Sequence, residues 1–285
     1  MSKLKIAIQK KGRLYEESIQ LLKESGLNFK EGNNQLKIVV ENFALEILLL
    51  RNADIPQYVE DGIVDLGIVG ENILIEQQVD YDVLRKLGFA SCRLSLAIPK
   101  AENYNDISAL TQKRIATSYP NTLRAYLTKN NIQAEIHTLS GSVEIAPNIG
   151  LADAVCDLVS SGTTLFNNGL REVETILNSE AVLIKSQKIN SVKQKSIDKL
   201  VFRMDAVLRP KKSKYVLLNV PNDKINAVSQ ILPVLKSPTV LPLAQPGWSS
   251  LHSVIDENQF WSVIDQLKAS GAEDILIIPI NKMVL

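Results

Sequence analysis

Short β-branched runs recur between helical patterns along the first hundred residues: LKIAIQ at 4–9, LKIVVE at 36–41, LEILLL at 45–50 and DLGIVG at 65–70. This alternation predicts an α/β domain with buried strands. SCRLSLAIPK, at 91–100, ends in a proline and is expected to carry the chain out of that domain. A second set follows, with strand-like RIATS at 114–118, AEIHTL at 134–139 and DAVCDLV at 153–159, separated by helices expected to begin near Asn121 and Ser142. The pattern predicts two similar α/β lobes around a cleft where strand ends and loops meet.

Near Gln187 the chain becomes polar, and the apolar spacing up to about residue 208 reads as a solvated amphipathic helix. Arg209, Pro210, Lys211 and Lys212 read as a linker. Beyond it come YVLLNV, a helix from about Asn222 to Leu232, PTVLPLA, SSLHSVI, a helix near Glu257 to Ala269, and DILIIPI. That order, βαββαβ, is the ferredoxin-like arrangement.

A length of 285 residues fits two or three domains. The net charge of +1 gives no general argument for nucleic acid or an anionic membrane, so function is to be sought in sites. Cys92 and Cys156 are far apart, with only His137 and His252 as imidazoles, which argues against a zinc site or a disulfide framework. The opening MSKLKIAIQKKGRL has too short an apolar run for a secretory signal, and no later run approaches membrane-spanning length, so a cytoplasmic protein is expected.

Candidate chemistry lies at strand ends. In ADAVCDLVSSGTTLFNNGL, residues 152–170, two acids, Asp153 and Asp157, precede Ser160, Ser161, Gly162, Thr163 and Thr164. A buried strand delivering backbone N–H and hydroxyl donors to a helix start suits a phosphate monoester, although the same composition also caps ordinary strand-to-helix turns. In QKKGRL, Lys10, Lys11 and Arg13 surround Gly12, a cationic turn suited either to a polyphosphate or to plain surface exposure. DLGIVGEN sets Gly70, Glu71 and Asn72 after an apolar strand, and Arg51 follows LEILLL.

Taken together, IAIQKKGRL, DLGIVGEN, GFASCRLSLAIP, RIATSYPNTLRAYL and EIAPNIGLADAVCDLVSSGTTL closely resemble the ATP phosphoribosyltransferase family, the first enzyme of histidine biosynthesis. The resemblance continues through SPTVLPLA and GAEDILIIPINKM, covers nearly the whole chain and matches the long form. It implies two periplasmic-binding-protein-like α/β lobes forming a catalytic cleft, plus a C-terminal ferredoxin-like (ACT-like) βαββαβ regulatory domain. The expected spans are 1–95 for lobe I with a returning segment near 186–208, 96–185 for lobe II, and 211–285 for the regulatory domain.

The implied reaction transfers the 5-phosphoribosyl group of phosphoribosyl pyrophosphate to N1 of ATP, releasing pyrophosphate. Ser160 to Thr164 are expected to hold the 5-phosphate, and Asp153 and Asp157 to face the ribose or its magnesium. Gln9, Lys10, Gly12, Arg13, Arg51, Gly70, Glu71 and Asn72 are the expected ATP or polyphosphate contacts. Mg2+ is the implied cofactor, held mainly by substrate phosphates. Histidine is the implied feedback inhibitor, with Asn219, Thr239 and Asp274 as candidate contacts. A homo-oligomer of dimers and hexamers is implied, with no nucleic-acid or membrane partner. The competing reading is a bilobal small-molecule-binding or amino-acid-sensing protein without catalysis. It predicts a secretion signal or a DNA-binding helix-turn-helix, and the sequence offers neither.

Overall fold

The computed structural model describes residues 3–32, 35–232 and 237–284. Residues 1–2, 33–34, 233–236 and 285, inside the expected domain spans, lie outside the described residues. Two compact units are present: the chain up to Lys23 with Leu27–Ile197, and Glu24–Gly26 with the chain from Asp198 onward.

The first unit holds two sheets. In chain order its elements are β1 Leu4–Gln9, α1 Arg13–Glu24, β2 Lys37–Val39, β3 Leu45–Leu50, α2 Ile55–Glu60, β4 Leu66–Gly70, α3 Glu71–Gln77, β5 Asp82–Lys86, β6 Cys92–Pro99, β7 Arg114–Thr117, α4 Pro120–Lys129, β8 Glu135–Thr138, β9 Ala154–Val159, α5 Thr163–Asn167, β10 Leu170–Ser179 and β11 Ala181–Lys185. Sheet one has the order β2-β3-β1-β4-β11-β5, and sheet two β10-β6-β9-β7-β8.

The central pairs β1–β3, β1–β4, β7–β8 and β7–β9 are parallel, while β6, β10 and β11 join antiparallel. The buried runs explain the parallel core. Ile6, Ile8, Ile47 and Ile68 have no accessible neighbour space left for water, as expected for strands covered on both faces.

Sheet membership revises the expected lobe borders. β6 belongs wholly to sheet two, so the border at 95/96 cuts through a strand; β11 pairs with β4 and β5, so the chain is back in sheet one by Ala181, ahead of the expected return near 186. The covalent links between the sheets are residues 87–91 and Glu180. The helix expected near Ser142 is a single 3-10 turn, Val143–Ile145, because Ser142 is left-handed (φ 50°) and Pro147 follows within a turn.

α6, Ser191–Leu208, is the polar-region helix, and Arg209–Lys212 continues it as a 3-10 turn. The second unit then has β12 Ser213–Pro221, α7 Ile225–Ile231, β13 Thr239–Pro242, β14 Trp248–Asp256, α8 Glu257–Ala269 and β15 Glu273–Pro279, with sheet order β13-β14-β12-β15. All three pairings are antiparallel, which is the ferredoxin-like topology. Val216, Leu218 and Val220 of β12 pack with Val228, Phe260 and Leu267, so the helices cover one face of this sheet.

Candidate active site

Loops at the carboxyl ends of β1, β3, β4 and β9 meet in the first unit, where an open α/β sheet presents ligands. A cleft of about 340 Å³ is lined by Gln9, Arg13, Asn52, Gly70 and Asn72 on one side and by Ala90, Cys92, Leu158 and Ser160 on the other. A neighbouring cavity of about 380 Å³ continues along Gln9, Lys10, Lys11, Arg51 and Asn52.

The basic turn forms because Gly12 is left-handed (φ 88°), which lets its carbonyl accept from Glu16 N–H at 3.1 Å as α1 begins. Gln9 Nε2 donates to Lys11 O (2.8 Å), and Lys10 N–H to Leu50 O (2.8 Å), tying this turn to the end of β3. Arg13 donates to Ser91 O at 2.8 Å, so its guanidinium is held at the cleft edge. Asn72 is buried. Its backbone N–H donates to Ser179 Oγ (3.0 Å), which donates in turn to Asn72 Oδ1 (3.0 Å), and Asn72 Nδ2 donates to Tyr119 Oη (3.1 Å). Burial pushes the Tyr119 phenol well above its ordinary range, with the charge of Asp157 adding to it.

The loop after β9 is open and rich in donors. Ser160, Ser161, Thr163 and Thr164 are exposed, and Gly162 is left-handed (φ 81°) at the start of α5. The first closed helical bond is Phe166 N–H to Gly162 O (3.0 Å), so the N–H groups of the preceding residues are free of that ladder. Ser161 Oγ and Thr163 Oγ1 stand 3.0 Å apart. Lys100 braces the far end of α5, donating to Phe166 O at 3.2 Å with its ammonium 3.4 Å from the Phe166 ring centroid. Arg93 grips Glu172 with two nitrogens and directs a third toward Ser160 O (3.5 Å).

The two expected acids part company. Asp157 lies near the loop end of β9 and is half-buried; burial raises its carboxyl above the usual range, the Leu158 N–H pulls it back, and Glu144 raises it further. Asp153 sits before the other end of β9, roughly 20 Å from Ser160 at the strand rise of about 3.3 Å per residue. Both its oxygens are taken: Arg114 donates from Nη2 to Oδ1 (2.9 Å) and from Nε (3.2 Å) and backbone N–H (2.9 Å) to Oδ2, holding the carboxyl at about 2. It lines a separate cavity of about 240 Å³ with Tyr104 and Lys113. Asp153 is therefore placed as a brace between β7 and β9, toward the end of β9 away from the phosphate loop. Glu71 likewise pairs with Lys86 at 3.0 Å and does not line the cleft.

Asn52 was not anticipated. It lines both cavities, and among the described residues its Oδ1 is a buried acceptor with no partner. The signal available in the sequence was its position directly after Arg51 at a strand end. In the second unit, Asn219 Nδ2 donates to Asp274 Oδ2 (3.1 Å), and Thr239 lies opposite His252, whose Nδ1 is 2.8 Å from Tyr215 Oη. Asn219 is out of phase along β12 with Val216, Leu218 and Val220, hence on the face turned away from the helices.

A two-lobed α/β cleft with cationic turns on one wall and a hydroxyl-rich loop on the other defines a protein that handles phosphorylated ligands. Comparison with known proteins gives the particular family. Residues 51–206 match the family described as ATP phosphoribosyltransferase, and residues 211–282 match HisG, C-terminal domain. The ATP phosphoribosyltransferase of Cytophaga hutchinsonii is 54% identical over 281 residues, covering 99% of this chain and 98% of the relative. That of Bacteroides fragilis is 51% identical over 282 residues, covering 99% and 100%. Among solved structures, the ATP phosphoribosyl transferase (HisG:HisZ) complex from Thermotoga maritima superposes with a TM-score of 0.62 at 28% identity, covering 72% of this chain and 98% of that one. The chain belongs to the ATP phosphoribosyltransferase family, in the long form with the C-terminal domain. Its reaction joins the 5-phosphoribosyl group to N1 of ATP in the first step of histidine biosynthesis.

Proposed function

We propose how the cleft divides the work of this reaction. Substitution at an anomeric carbon needs an oriented nucleophile, a stabilised oxocarbenium-like centre and a neutralised pyrophosphate leaving group, so positioning and electrostatics carry it. The loop Ser160 to Thr164 holds the 5-phosphate through backbone N–H groups and hydroxyls. Lys10, Arg13 and Arg51, with Gln9 and the Gly12 turn, meet polyphosphate oxygens, and Gly70 leaves room for the Asn72 amide on the adenine side. Asp157, when ionised, accepts from ribose hydroxyls. The observation that carries this division is that Arg13 and Ser160, from the two lobes, line one cleft.

Asp157, near the loop end of β9, is a hard-oxygen donor of the kind that suits Mg2+ shared with substrate phosphates. When bound, Mg2+ lowers the charge on the pyrophosphate leaving group. The first unit forms the catalytic body and residues 211–284 a histidine-sensing domain, with Asn219, Thr239 and Asp274 meeting the amino acid. Inhibition from there is a coupling between two states of the protein. The family resemblance supports a homo-oligomer of dimers and hexamers. Among the described residues no helix is long and apolar enough to cross a membrane.

Gly162→Ala tests the phosphate loop. A Cβ there would meet only Val159 Cγ1 at 3.9 Å, so space is available and the penalty comes from the left-handed backbone. Phosphoribosyl pyrophosphate binding is expected to weaken by about ten-fold, with ATP binding altered by less than about two-fold. Calorimetry with each substrate alone decides; equal losses for the two would move the phosphate site elsewhere.

A further inference from the structure

The last turn of α3 reaches from the first lobe to the start of α4 in the second. Glu76 Oε1 accepts from Asn121 N–H (2.9 Å), and Oε2 from Thr122 N–H (2.9 Å) and Thr122 Oγ1 (2.7 Å); Asn121 Nδ2 donates to Glu76 O (3.1 Å). The first N–H groups of a helix have no partner within it, and they favour a carboxylate. The residue preceding α4, Tyr119, supplies no side-chain cap of its own. Glu76 is that cap, borrowed from the other lobe. Asn72, four residues earlier and thus on the same face of α3, makes the second crossing to Tyr119.

Two-lobed clefts joined by a few linking residues are free to open unless something besides the ligand holds them. Here residues 87–91 and Glu180 are the covalent links, and the chain itself supplies the clasp. The same contacts fill the α4 N-terminus, which would otherwise attract substrate phosphate.

We propose that Glu76 is a positioning residue for the transfer: by capping α4 across the cleft it fixes the angle between the lobes, so that the ATP side at Arg13 and Asn72 faces the phosphate loop at Ser160 before either substrate arrives. The inference rests on the reaction taking place in this cleft. Each substrate still binds its own lobe when the clasp is lost, but the reacting atoms no longer meet.

The test uses the full chain with Glu76→Ala, Glu76→Gln and Thr122→Val. Product formation by Glu76→Ala is expected to fall by roughly ten- to a hundred-fold in kcat, since small misplacement of reacting groups is that costly. Calorimetric stoichiometry for ATP alone and phosphoribosyl pyrophosphate alone is expected to stay at the wild-type value, with affinities within about three-fold. Glu76→Gln keeps one acceptor oxygen and recovers part of kcat. Unchanged kcat in folded Glu76→Ala overturns the proposal, and so does a loss of kcat matched by an equal loss of binding stoichiometry, which would mark a purely structural residue. If Glu76→Ala does not fold, Thr122→Val decides by the same split, with an expected loss in kcat of about three-fold. A wild-type protein that makes no product would overturn the transferase reading; amide exchange at residues 121–123 in wild type and Glu76→Gln would then test the clasp alone, with faster exchange in the variant supporting it and equal exchange refuting it.

Discussion

At the scale of single residues, the two aspartates of the 152–170 stretch show how one strand assigns different work to like side chains. Asp153 is fixed by the Arg114 fork, and its carboxyl at about 2 lies below the ordinary 3.8. A folded-state value below the unfolded one adds stability above about pH 4, and that stability is lost as pH falls from about 4 toward 2. After allowance for solvent screening of a pair about a third exposed, the contribution is on the order of 1 kcal/mol. Asp153→Asn should therefore lower the melting temperature by a few degrees at pH 7, with the deficit shrinking toward pH 2, while phosphoribosyl pyrophosphate binding is kept. Thermal melts across pH and calorimetry check this; lost binding in a protein of normal stability would return Asp153 to the ribose. Sequence spacing made both acids look alike because it carries no information on which strand end faces the cleft. Arg114, the partner that holds Asp153, is 39 positions away.

Among elements, β3 and α8 were legible in outline, since a mostly apolar run, broken only by Glu46, marks the one and Asp256 caps the other through Asn258 and Gln259 N–H. β5 and β10 were hidden. DVLRK is a charged edge strand, and LREVETILNS carries two register shifts that break the period of two on which pattern reading depends. The βαββαβ order survived because its two central strands, β12 and β14, alternate over one covered face, although the edge strands β13 and β15 do not. That face assignment leaves Asn219 and Asp274 paired on the uncovered side, with Asp274 held left-handed at φ 48°. Asp274→Ala in the full chain is expected to weaken histidine binding by roughly ten-fold or more, because an ammonium loses its carboxylate partner. Unchanged affinity in calorimetry would move the histidine site off this sheet face.

On the scale of the whole molecule, the two-lobe plan was readable from repeated strand runs, but its borders were not. The chain leaves the first sheet before Cys92 and rejoins it at Ala181, and those crossings depend on which strands pair rather than on local composition. The cleft lies across this interlacing: Arg13, after β1 of sheet one, and Ser160, after β9 of sheet two, line one cavity. The most direct test of the transfer reaction incubates the purified full chain with ATP, phosphoribosyl pyrophosphate and Mg2+, removes pyrophosphate enzymatically, and follows N1-(5-phosphoribosyl)-ATP by mass and ultraviolet absorbance. Product and pyrophosphate are expected to form in equal amounts and only when both substrates are present. A folded protein that binds both substrates and yields no such product would contradict this expectation.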